Sequence, residues 1–249
     1  MSRFKRKNGF TLVEVVLVIV IIGIITSIAI KSLSKSTEIA RAEETKKELE
    51  KLARAITGRS DLLTNGIRTD YGYVGDVGAL PASLDHLITR PPGYTSWDGP
   101  YIFDDFSEDG SSSEFKKDAW GVNYTYNGSV TISSTGGGNT ITRNLANSVD
   151  DLLYNRVICV VTDLDQTPPG DTYKDSVVVS LRFPDGSGSY STHYRNPDSN
   201  GLTEFDSIPT GLHELRVIYT PLYDTLRRIV NIDAGTDYYA EISLFEDTW

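Results

Sequence analysis

Cysteine is nearly absent from this chain. A single residue, Cys159, stands in the apolar run 157–161, so no internal disulfide can form and the thiol is expected to fill a strand core. Histidine is scarce as well. His86, His193 and His213 are scattered without metal-ligand spacing, and no Cys–His pair or nucleophile-elbow motif accompanies them. His213 follows a turn and enters a β-rich run, where a structural role suits it. Positive charge is in deficit, with 24 Lys and Arg against 34 Asp and Glu and a net charge of −10. A surface of that sign argues against nucleic acid as a ligand. No internal repeat is visible, and 39% hydrophobic content over 249 residues excludes a disordered chain and bounds it to one or two packed domains. Asp163, Asp165, Asp171, Asp185 and Asp198 lie near turns, where side-chain bonds to local backbone explain them. A carboxylate pair acting on glycosides stays open as a third reading, because separation in space cannot be read from sequence. The principal expectation is a protein that is not an enzyme.

What the chain does have is one long apolar run near its start. Residues 15–30 are apolar except for Thr26, Ser27 and Gly23. A helix from Phe10 to Ile30, at about 1.5 Å per residue, just spans a hydrocarbon core of about 30 Å. Arg3, Lys5, Arg6 and Lys7 precede it, which keeps the start cytoplasmic and sends the remainder across the membrane. Glu14 interrupts the pattern. A carboxylate inside a spanning helix costs about 2.5 to 3.5 kcal/mol on insertion scales and marks function by default. A plain signal anchor, with Glu14 shallow enough to reach the headgroups, is the competing reading.

Gly9-Phe10-Thr11-Leu12-Val13-Glu14, after a short basic leader and ahead of the apolar run, resembles the class III signal of type IV pilins and type II secretion pseudopilins. The resemblance implies that prepilin peptidase cleaves between Gly9 and Phe10 and that Phe10 is then N-methylated. Only residues 1–9 leave, whereas an ordinary secretory signal loses its whole apolar region. Loss of the four leader cations would deepen the net charge from −10 to −14. The resemblance also pairs Glu14 with the terminal amine of a neighbouring subunit. One buried carboxylate and one buried ammonium, each expensive alone, then become tolerable only at the right axial offset. The implied partners are identical or related pilin subunits, prepilin peptidase, an assembly platform with its ATPase, and the membrane. The implied location is the cytoplasmic (inner) membrane as a single-pass protein with its C-terminal domains outside, and a periplasmic or extracellular filament after assembly.

Beyond Lys31 the helix is expected to continue to Thr57 and turn amphipathic. Leu49, Leu52, Ala53 and Ile56 share one face, Glu43 with Lys47 and Glu50 with Arg54 support the other, and Gly58 caps the end. Lys31 stands where many family members carry a kinking proline, and Gly23 matches a glycine common among them. Residues 59–154 lose periodicity and are expected to form short strands and ordered loops. Leu80-Pro81 with Leu84 and Leu87, Trp97-Asp98-Gly99-Pro100-Tyr101, and Asp118 to Tyr126 resemble the turn and helix, the start of the small sheet, and the hairpin of the major pseudopilin head. Ala119 and Asn123 replace two family prolines. Trp120 and Tyr126 are expected as buried staples of the small sheet, with an exposed sugar platform as the alternative. The glycine-rich stretch 132–139 sits where the family has a calcium loop, which makes calcium near Asn139, Asp150 and Asp151 one reading. Calcium wants six to eight oxygens, so a flexible glycine turn with solvated acids is the other.

From residue 155 onward, β-rich runs at 157–162, 176–183, 190–194, 202–205, 213–219, 226–232 and 238–245 suggest a seven-stranded sandwich. Gly201 to Phe205 followed by Ile208-Pro209-Thr210-Gly211 and residues 212–217 resembles carboxypeptidase-regulatory-like domains, which bind or space. The expected fold class is therefore α+β: residues 1–9 a leader, 10–58 a pilin helix, 59–154 a small antiparallel head and 155–249 a β-sandwich domain. The expected function is a structural filament subunit. The alternative is a minor pilin or adhesin whose C-terminal domain binds a surface or polysaccharide, supported if Tyr190, Tyr194, Tyr219, Tyr223, Tyr238 and Tyr239 are exposed and opposed if they form a core.

Overall fold

The computed structural model describes residues 11–102, 114–244 and 249. One helix, α1 (Leu12–Thr57), runs for 46 residues, about 70 Å at about 1.5 Å per residue. It divides sharply into two parts. Every residue from 11 to 41 is exposed, and burial begins at Thr45. Leu49, Leu52, Ala53 and Ile56 are at most 3% exposed, so the stripe read from spacing is the face that packs. Gly58 ends the helix at φ 75°, its N–H donating to Arg54 O at 2.7 Å. Glu50 holds Arg54 at 3.1 Å as expected. Glu43 holds Lys46, at 2.7 Å, instead of Lys47, because i to i+3 and i to i+4 neighbours flank the same turn and both lie within reach.

The head follows in short pieces. β1 (Leu63–Thr64) and β2 (Ile67–Arg68) form a hairpin around Asn65 and Gly66, both at positive φ. Helix α2 (Gly72–Val77) lies on α1 and ends at Gly78 in the left-handed region. A 3-10 turn at Leu84–Leu87, where the resemblance implied a turn and helix, buries both leucines. β3 (Thr131–Ser134) and β4 (Ile141–Asn144) pair antiparallel and lie along α1. Two expectations fail here. Residues 97–101 begin no strand, and 118–126 make a tight turn with only isolated bridges, Lys117 to Asn123 and Thr125 to Ser133. Side chains do the anchoring that ladder bonds were expected to do. Trp97 Nε1 donates to His86 O at 2.8 Å, and the Tyr101 hydroxyl donates to Asp76 at 2.9 Å. Burial raises the Asp76 carboxyl to about 6 despite that bond.

Helix α3 (Val149–Leu153), capped by Ser148, leads into the C-terminal strands. These are β5 (Asn155–Thr162), β6 (Val177–Pro184), β7 (Tyr190–Arg195), β8 (Leu202–Ile208), β9 (Gly211–Tyr219), β10 (Asp224–Ile232) and β11 (Tyr238–Ser243). All seven β-rich runs are strands, most of them a residue or two longer than the apolar signal alone. They form a four-stranded sheet in the order β10-β9-β6-β7 and a three-stranded sheet in the order β11-β5-β8, with β11 parallel to β5. Alternate residues of both sheets, among them Val157, Cys159, Val179, Leu181, Phe205, Leu215, Val217 and Ile242, gather into one buried cluster. The chain is thus an α+β protein, a long helix followed by strands in several sheets. Head and C-terminal strands meet backbone to backbone: Gly186 N donates to Val77 O, Ser96 N to Gly188 O and Thr210 N to Leu152 O, at 2.8–2.9 Å.

Candidate functional site

At the N-terminus, Gly9 and Phe10 lie outside the described residues, and Glu14 stands in the first turn of α1. Thr11 is the N-cap. Its hydroxyl oxygen accepts the Glu14 N–H at 3.2 Å, while Glu14 Oε2 accepts the Thr11 N–H at 3.2 Å and its hydroxyl at 3.3 Å. This is a capping box, in which two otherwise unsatisfied helix donors find acceptors. Its signal was present as Thr-x-x-Glu. Glu14 therefore has a partner at the start of its own helix, one that supplies dipoles and no charge. Beyond it, Leu17, Ile21, Ile24, Ile28 and Leu33 are 46–69% exposed. Each large aliphatic left in water forgoes about 1.5 to 3 kcal/mol. By length and composition this segment suffices to cross a membrane.

The glycine-rich loop is organised from the protein side. Asp118, 5% exposed, accepts from Trp120 N at 3.0 Å and Val122 N at 2.9 Å on Oδ1, and from the Ser134 hydroxyl at 2.5 Å and Gly136 N at 3.1 Å on Oδ2. Burial opposes its charge, but these donors outweigh burial and hold its carboxyl below the usual range. Trp120 is only half-buried and lies in a turn, which corrects its expected place in a strand core. Its Nε1 donates to Glu38 at 2.9 Å, and its ring closes over Gly137, where a Cβ would come within 2.6 Å of Cζ2. Tyr126 is half-buried too, with its hydroxyl on Pro81 O at 2.9 Å. Both aromatics dock the head; neither is an open platform.

The residues suggested for calcium do not converge. Asn139 borders a groove against Lys35, Ile39 and Ala42 of α1, whereas Asp151 N is capped by Ser148 and Asp151 O accepts Gly235 N at 2.8 Å at the far end of the head. Asp150 is exposed. Among the described residues no group of three or more His, Cys, Asp or Glu could hold a metal ion. Among the described residues the carboxylate of Asp118 touches the glycine loop, and it already has four donors. Among the described residues, then, Asn139, Asp150 and Asp151 are not brought together at one point.

Cys159 is fully buried, and burial pushes its thiol up to about 12. His213 is 1% exposed, its Nε2 2.7 Å from Pro209 O, and burial lowers it to about 4, so it is neutral at physiological pH. A cavity of about 360 Å³ beneath the end of α1 is lined by Arg54, Arg59, Arg68 and Arg143. Each guanidinium has an acid: Glu50 serves Arg54 and Arg143, Asp61 serves Arg59 and Asp233 serves Arg68. The six tyrosines divide. Tyr190, Tyr194, Tyr223 and Tyr239 are exposed, Tyr219 is buried, and Tyr238 is partly buried on the core.

A family model described as the prokaryotic N-terminal methylation motif matches residues 4–30. Over 93 residues the chain is 29% identical to the type II secretion system core protein G of Xanthomonas campestris pv. campestris; that stretch is 37% of this chain and 55% of that protein. The chain therefore spans about half the length of the curated relative it matches. A solved structure, the Bacillus anthracis TIE protein, overlaps 49% of this chain and 24% of its own at 10% identity and a TM-score of 0.29, a likeness that carries no argument. The motif and the secretion-system relative support a pilin-type subunit.

Proposed function

We propose that this chain is a structural subunit of a type IV pilus-like filament or type II secretion pseudopilus. On this reading prepilin peptidase removes residues 1–9, Phe10 is N-methylated, and the mature chain rests in the cytoplasmic membrane until the assembly machinery draws it into a polymer. The observation that carries it is the division of α1. Residues 11–41 are all exposed, although the apolar run fills more than half of them, and burial starts at Thr45. A bare apolar half-helix needs either lipid or other copies of itself. Glu14 gives the polymer its register. Among the described residues its carboxylate is held by Thr11, and in the filament the terminal amine of a neighbour would add the missing charge. The two C-terminal sheets would form a sandwich of the carboxypeptidase-regulatory-like kind, carried outside the membrane.

Replacing Glu14 with Ala separates this reading from a plain anchor. The variant should insert and lose its leader normally yet form no ordered polymer, scored by electron microscopy and crosslinking of sheared material. Filaments of normal order and yield from Glu14→Ala would remove the role assigned to this carboxylate.

A further inference from the structure

The two sheets of the C-terminal strands turn unlike faces outward. Their inward residues share one buried cluster, so the alternate residues face out on opposite sides. On the four-stranded sheet the outward charges are Arg182 on β6, Glu214 and Arg216 on β9, and Arg227 on β10. Arg227 lies directly opposite Arg216 in the ladder, a like-charge pairing that destabilises a sheet. Glu214 grips Arg216 with two bonds, at 2.7 and 2.9 Å, and reaches Arg227 only at 3.7 Å. Arg182 sits 3.8 Å over the Tyr190 ring. Three guanidiniums against one carboxylate make this face basic, on a chain whose net charge is −10.

The three-stranded sheet is its inverse. Glu204 and Asp206 on β8 and Glu241 on β11 face outward, against one cation, Arg156, which Asp237 already holds at 2.5 Å. Between these acidic banks the central strand β5 presents Ile158 and Val160, both half-buried. Register sets Ile158 between Tyr239 and Glu204, and Val160 between Glu241 and Leu202. The basic face has its own apolar patch, where Val178 lies opposite Ile218.

We propose that the occupant of each face is the other face of a second copy: the acidic three-stranded face of one subunit packs on the basic four-stranded face of the next. Charge chooses the partner, because opposite faces attract while two basic or two acidic faces repel. Such a contact is heterologous. Each copy offers one face and receives the other, so the contact repeats into an open helical row instead of closing as a two-fold dimer. The proposal rests on the filament reading and adds to it a second contact, made by the C-terminal strands. Area limits its strength. Three strands of about six residues present roughly 300 Å² of flat face, below the roughly 800 Å² per partner of a free-standing complex. The contact therefore works where helix packing has already aligned the copies.

The test uses the full chain and the filaments sheared from cells, with yield scored by sedimentation and order by electron microscopy. Glu204→Arg with Glu241→Arg makes both faces basic, and Arg182→Glu with Arg227→Glu makes both acidic. Each double variant should lower the yield at least about tenfold, because like faces then meet. All four substitutions in one chain make the faces opposite again with their signs exchanged, and should return the yield to within about twofold of wild type. A folding defect cannot imitate that recovery, since four changes disturb the fold at least as much as two. Wild-type yield from either double variant, or a fourfold variant as poor as the doubles, would overturn the face contact and leave the filament reading standing. Absence of filaments from the wild-type chain would overturn the filament reading, and this proposal with it.

Discussion

Asp118 holds a turn to the end of β3 and the loop after it through one carboxylate. Its four donors come from the turn after it and from a strand end and loop sixteen to eighteen residues on. The next residue, Ala119, donates its N–H to the buried Thr45 hydroxyl at 3.2 Å. We predict that Asp118→Asn lowers unfolding free energy by about 2 kcal/mol, the scale of hydrogen bonds to a charged group, measured by denaturant titration at pH 7. Its acid sensitivity should fall too. The folded carboxyl titrates below its ordinary value of 3.8, so its contribution is complete above that value and is lost as pH falls through the lower folded one. The wild-type chain should therefore lose stability below about pH 4 more steeply than the variant. Equal slopes would show that the carboxylate charge does not matter. This role was only half legible. Asp118 stood out as the head of a motif, but nothing in the sequence says that Ser134 and Gly136 fold back onto it. Glu14 was legible because a charge inside an apolar run breaks a pattern, and its cap was legible as Thr-x-x-Glu.

Among the elements, α1 and the seven C-terminal strands could be read because each carries a long periodic signal. Leu49, Leu52, Ala53 and Ile56 repeat at helical spacing, and β9 alternates buried His213, Leu215 and Val217 with Glu214, Arg216 and Ile218. Helix α2 could not be read that way. Six residues with glycines at Gly72 and Gly75 offer no period, and its place is set by packing on α1. The β1–β2 hairpin did carry a signal, Asn65-Gly66, the pair that most favours such a turn. The joint between head and C-terminal strands hangs on Gly78. It caps α2 at φ 77°, and a Cβ there would lie 2.3 Å from Pro184 O. Gly78→Ala should cost well over about 1 kcal/mol, since it combines left-handed strain with a backbone clash. Limited proteolysis should then cut between the head and the strands faster than in the wild type. Cleavage at the wild-type rate would mean that this contact does not tie the two parts together.

Across the whole molecule, order along the chain was readable but neighbourhood was not. Alternation tells which face of a strand is buried and says nothing of its partner. The parallel pairing of β11 with β5, about eighty residues earlier, is a consequence of the shared core. Nor could the sequence foretell that the head and the C-terminal strands would share backbone hydrogen bonds instead of a loose linker. At this scale the decisive asymmetry is between a C-terminal body that buries its apolar residues and a half-helix that buries none. That asymmetry makes sense only if another environment receives the helix.

The most direct test is the intact mass and N-terminal sequence of the protein recovered from its native membrane. The account predicts a chain that begins with N-methylated Phe10. A chain that begins at Met1 in cells with active prepilin peptidase would contradict it, and the protein would then be a single-span anchor with an exported body and no filament to join.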